Sequence, residues 1–106
     1  MTKYAVVLIT VPGEEIGLKI AKSLVEKKLA ACVNIVPGIR SIYSWEGKIC
    51  DDKELLLIVK TKPAFFDELK NEVVCLHEYD VPEIILLPIE DGNRSYLQWI
   101  DENVSV

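Results

Sequence analysis

Two stretches half a chain apart carry the same punctuation. "VLITVP" (residues 7–12) and "IVKTKP" (residues 58–63) each end an apolar run with Thr-x-Pro and then open a helical pattern. A chain that turns from strand to helix twice, with further strands between, has few architectures open to it.

The first apolar run, residues 4–11, is β-branched with few breaks, the pattern of a strand buried on both faces. Beyond Pro12, Ile16, Ile20 and Leu24 recur at helical spacing, widened by Ala21 and Val25. Glu14 and Glu15 suit the positive end of that helix, and Lys27 and Lys28 suit its negative end, so the helix is predicted to run to about Lys28. Residues 31–36 read as a second strand, and Pro37-Gly38 as a bulge or bend in it. The pattern then alternates, with Ile39, Ser41, Tyr43 and Trp45 on one face. Glu46-Gly47 reads as a hairpin tip. The returning strand starts at Lys48, meets a polar break at Asp51-Asp52-Lys53 and resumes as "ELLLIVKT". These strands are long, and the hairpin is predicted to project beyond the domain's own sheet.

The second helix opens at Pro63 and stacks Phe66, Leu69, Val73 and Leu76 on one stripe. "EIILLPI" (residues 83–89) is a strand whose Pro88 marks an edge or an end. Asp91-Gly92-Asn93 is a turn and cap for a short third helix carrying Leu97, Ile100 and Val104. The order β-α-β-β-α-β plus a C-terminal helix over residues 1–106 is one α+β domain, the ferredoxin-like split βαβ, with an antiparallel sheet and helices on one face. The other face must be buried by something, and a second copy is the economical answer. Tyr43 and Trp45 on the projecting hairpin are the expected interface anchors.

Composition narrows the functions. Half of the 106 residues are hydrophobic, and the net charge is −5. With only Arg40 and Arg94 as arginines, no basic footprint for nucleic acid or an anionic membrane is present. The apolar N-terminal run is too short for an export signal or a membrane span, so the cytoplasm is the expected location. Cys32, Cys50 and Cys75 make an odd set with no CxxC, against a disulfide framework. No Gly-rich phosphate loop, nucleophile elbow or HExxH motif is present, so neither an enzyme nor an organic cofactor is expected.

The stretch "LHEYDVPE" (residues 76–83) holds the one histidine, His77, with Glu78, Asp80 and Glu83 close by and Cys75 two residues before. Imidazole, thiol and carboxylates are the ligands a copper or zinc ion takes. On the residues alone the favoured reading is a polar helix end, with His77 capping the C-terminus. Asp51, Asp52 and Glu54 form a second acidic group.

Taken together, "LVEKKLAACVNIVPGIRSIYSWEGKI" (24–49), "ELLLIVKT" (54–61), "HEYDVPEIILLPI" (77–89) and "GNRSYLQWI" (92–100) resemble the CutA divalent-cation-tolerance family along nearly the whole chain. The resemblance implies a cytoplasmic homotrimer whose long hairpins pair across subunits. It implies tolerance of copper (Cu2+) or another divalent cation, with metal bound near His77 and Cys32, and Glu83 as an adjoining oxygen ligand. A second histidine and a further cysteine found in some members are replaced here by Leu76 and Ile9. His77, Tyr79 and Glu83 are expected at a cleft between trimer neighbours, where a metal or small anion would bind. Two other functions fit the same architecture. One is a trimeric small-molecule sensor like the PII signalling proteins, by analogy of fold. The other is a structural trimer that anchors a partner protein.

Overall fold

A computed structural model describes residues 2–106. Its elements are β1 (Ala5–Val11), α1 (Glu14–Glu26), β2 (Cys32–Trp45), β3 (Lys48–Thr61), α2 (Phe66–Leu76), β4 (Ile84–Pro88) and α3 (Arg94–Asn103). The strands form one sheet in the order β2-β3-β1-β4, every neighbouring pair antiparallel. This is the ferredoxin-like arrangement expected from the two Thr-x-Pro junctions.

Alternation in β1 sets the layers. Ala5, Val7, Ile9 and Val11 are fully buried, and the last three meet Leu57 and Val59 of β3 under the helices. Ile20 and Leu24 of α1 and Leu69 and Val73 of α2 complete that core. Each such side chain contributes about 1.5–3 kcal/mol by leaving water. Val6, Leu8 and Thr10 point to the other face, where they are only half-buried. Ile85 and Leu87 of β4 are exposed on that face too. The apolar run thus has two apolar faces, and the chain's own helices cover one of them.

Three boundaries differ from the sequence reading. Helix α1 stops at Glu26 because Lys28 adopts φ 58°, in the left-handed region. That turn sends the Leu29 and Ala30 amides back to the Leu24 carbonyl and tucks both side chains into the interior. Pro63 opens a single 3-10 turn, Pro63–Phe65, before α2 begins at Phe66. Strand β3 has no break at 51–53: Asp51, Asp52 and Lys53 pair with Ile42, Ser41 and Arg40. Here the hairpin has left the core, both faces are wet, and polar residues do not end a strand.

The hairpin gives the molecule its 44 × 25 × 23 Å outline. Its tip, Glu46-Gly47, has positive φ at both residues, 51° and 77°, as a tight two-residue turn requires. The Pro37-Gly38 bulge shifts the register between Val36 and Ile39. Val36 lies opposite Leu56, but Ile39 lies opposite Glu54. Opposed residues share a face, so the bulge moves the odd-numbered residues of β2 onto the helix-free side. Ser41, Tyr43 and Trp45 therefore stand beside Asp52 and Glu54 on that side. α3 is pinned at the far end of the sheet, where Asp101 accepts from the Tyr4 hydroxyl (2.7 Å), Lys3 (2.9 Å) and Lys62 (3.2 Å).

Candidate functional site

α2 ends at Leu76, and the His77 amide closes its last turn on the Val73 carbonyl at 2.8 Å. The imidazole does not stay with the helix. Its Nε2 lies 2.7 Å from the Thr10 carbonyl, and its Nδ1 accepts the Tyr79 amide at 3.1 Å. A carbonyl can only accept, so Nε2 carries the proton and Nδ1 does not. Thr10 lies just past the last rung of the β1–β4 ladder, where Ile9 faces Ile84. The ring stands where the next strand donor would stand. It also packs on the Tyr79 ring, centroids 4.6 Å apart.

This strut sets the loop between α2 and β4. Tyr79 reaches back over the sheet, and its hydroxyl donates to Glu54 at 2.5 Å. Glu54 is only 7% exposed, one of two buried polar or charged residues among those described. Burial first, and then the Glu54 carboxylate, push the Tyr79 phenol well above its ordinary range. Tyr43 repeats the arrangement at the hairpin by donating to Asp52, which raises its phenol to about 12.

Between hairpin and loop lies a cleft of about 750 Å³. Tyr43, Trp45 and Tyr79 form its aromatic walls, and Thr10 and Ser41 lie along the sheet. Glu54, Glu78, Asp80 and Glu83 are its charged lining, and no Lys, Arg or His is among the described residues that line it. Asp51, grouped with Asp52 and Glu54 by sequence, faces the opposite side, where it pairs with Arg40.

Residues 5–103 match the family described as CutA1 divalent ion tolerance protein. The chain belongs to this family. A divalent-cation tolerance protein CutA of Thermus thermophilus is 61% identical over 98 residues, which are 92% of this chain and 95% of that protein. A chloroplastic CutA of Oryza sativa is 56% identical over 90% of this chain, which spans 54% of the rice protein's length. Solved structures agree. The Thermus thermophilus protein superposes with a TM-score of 0.94 at 59% identity, covering 96% of this chain and 99% of its own. A CutA of Archaeoglobus fulgidus, described as periplasmic, gives 0.93 at 48% identity with the same coverage of both chains.

The ligands that the family resemblance suggested are not gathered in one subunit. Among the described residues, no three His, Cys, Asp or Glu side chains are placed to hold a metal ion. Both nitrogens of His77 are engaged. Cys32 lies on the helix-free face opposite Lys60, with the Lys60 amine 3.9 Å from its sulfur. Thr10 faces Leu56, four residues along β3 from Lys60, so Cys32 is roughly 13 Å of strand away from the His77 anchor. Glu83 does reach the cleft. Sequence reasoning did not single out Glu54 as buried, the Thr10 carbonyl, or Asp52 as a partner of Tyr43. The last was accessible by counting residue parity through the Pro37-Gly38 bulge, whereas the burial of Glu54 depends on Tyr79, 25 residues away. A backbone acceptor leaves no trace in residue types.

Proposed function

We propose that the chain acts in divalent-cation tolerance as a cytoplasmic homotrimeric binding protein, not an enzyme. The helix-free sheet face carries this reading. It presents Val6, Leu8, Leu56, Ile58, Ile85 and Leu87, an apolar surface too continuous to leave in water. Both outer strands, β2 and β4, also have a free edge. Pairing the edge of one copy with the opposite edge of the next is a head-to-tail contact, which closes into a three-membered ring when each copy is turned by a third of a revolution. Tyr43 and Trp45, 42% and 47% exposed, are the anchors on the hairpin. Three free cysteines accord with a reducing compartment.

Divalent ions, Cu2+ among them, are the cargo. They are held weakly at the 77–83 loop, where Glu83 and neighbouring carboxylates supply oxygen and the neighbouring subunit completes the set. His77 gives nitrogen only by surrendering the Tyr79 amide, which costs about 1 kcal/mol and keeps the affinity low. Calorimetric titration with Cu(II) and Zn(II), with mass in solution recorded alongside, tests both parts. The expected mass is three times the 12.0 kDa chain, with saturable ion binding that weakens in Glu83→Gln and disappears on dissociation. A monomer at working concentration, or equal affinity in a folded monomer, rejects the shared site.

A further inference from the structure

The helix layer ends in an exposed apolar stripe on each side. On α1, Leu18, Lys22 and Val25 follow at i, i+4 and i+7, with Leu18 38% and Val25 44% exposed. They form one wall of a groove of about 380 Å³, and Val33 and Ile35 of β2, both half-buried, form its floor. α1 therefore lies along the β2 edge of the sheet. α2 lies on its other side, because Glu72 accepts from Ser23 at 2.5 Å and pairs with Lys27 at 2.9 Å. Val74 follows Glu72 at i+2 and so points about 200° around the helix from it, away from α1 and toward the β4 edge. It is 53% exposed, and Asp67 and Lys70, an ion pair, share its stripe.

We propose that this groove is the seat of α2 from the neighbouring copy, so that the helix layer continues from one subunit to the next. The inference rests on the ring reading above and names a second surface for it, on the helix side of the sheet. In the order β2-β3-β1-β4 every step is antiparallel, so the two outer strands run in opposite directions. Rotation about an axis along the strands preserves strand direction. A neighbour's β4 brought beside β2 thus continues the antiparallel order and keeps its helices on the same side of the sheet. Its α2 carries the Val74 stripe on the leading flank, and the first surface that flank meets is the groove beside α1. Val74 enters between Leu18 and Val25, over the floor of Val33 and Ile35. The rims match in charge, with the exposed Glu26 beside the groove and Lys70 on the entering stripe. Left in water, each stripe is a separate apolar patch, whereas brought together they remove one another's exposed surface.

The test is self-association of the whole chain carrying Val25→Lys, Val74→Glu, or both. Each position is exposed in the single subunit, so neither change disturbs its core. Either substitution alone sets a charge into an apolar contact. It should raise the subunit concentration at half-dissociation by about 10-fold or more, read as mass in solution on dilution. Together they place opposite charges on the two stripes, and the double variant should recover most of that loss. Where the assembly survives dilution, the rate of subunit exchange between two differently labelled preparations reads the same change. Single variants that associate like wild type overturn the inference and leave the ring standing on its sheet face and strand edges. Single variants that weaken assembly with no recovery in the double variant overturn the pairing of these two stripes. A monomeric wild type overturns the ring and the inference together.

Discussion

Replacing His77 with alanine separates a strut from a ligand. The imidazole donates to the Thr10 carbonyl at 2.7 Å, accepts the Tyr79 amide at 3.1 Å, and packs on the Tyr79 ring. Each hydrogen bond is worth about 0.5–1.5 kcal/mol, and the ring contact about 0.5–1.5 kcal/mol beyond its area. The site is half-buried, so water replaces part of what is lost. The expected cost is about 2 kcal/mol. It should appear in urea unfolding at matched subunit concentration, because assembly itself shifts apparent stability. A second readout is local. The Tyr79 amide loses its acceptor, so its hydrogen exchange should rise toward that of an open loop while the Val7 and Val59 amides of the central strands stay protected. Stability within about 0.5 kcal/mol of wild type and unchanged Tyr79 exchange, together with lost Zn(II) affinity, would refute the strut and make His77 a free ligand.

Two further outcomes follow from local geometry. Gly47 sits at φ 77° with nothing within 4 Å of an added Cβ, so Gly47→Ala should cost about 1–2 kcal/mol from backbone conformation alone, measured by thermal unfolding. Asp101 is held down to about 2 by the Tyr4 hydroxyl first, then by Lys3 and Lys62, against an ordinary 3.8. Its pKa is lowered on folding, so its contribution is fully present above about 3.8 and is lost as pH falls through about 2. Melting temperature should drop across that window in wild type and drop less in Asp101→Asn, and equal slopes in the two would remove Asp101 as the cause.

Most of the architecture was legible because periodicity reports burial. β1 and the 55–61 half of β3 lie on the core and read correctly as apolar runs. The α2 stripe of Leu69 and Val73 reads correctly for the same reason. Where burial ends, so does the signal. The Asp51-Asp52-Lys53 segment lies in the hairpin outside the core, and its polarity describes solvent rather than strand pairing. The end of α1 was missed by two residues because a lysine at the C-terminus suits the helix dipole whether it is the last helical residue or the left-handed one after it. On β1, an apolar run promised two buried faces, but a single chain supplies one cover.

The site was legible in its parts and not in its assembly. Glu54 and Tyr79 are 25 residues apart, and His77 and Thr10 are 67 apart. Pairing of β1 with β3 and β4 brings those partners together, and a one-step register shift at Pro37-Gly38 turns the Tyr43 and Trp45 face toward Glu54 instead of away from it. Without that shift, the hairpin aromatics would stand on the face with Asp51 and Lys53. The cleft would then lose its hairpin wall. The same bulge therefore decides whether the aromatic side chains of the hairpin point toward the uncovered face of the sheet. A variant that straightens β2 by deleting Gly38 should therefore turn Tyr43 and Trp45 away from that face and weaken self-association, read as a lower mass in solution, and an unchanged mass would remove them as anchors.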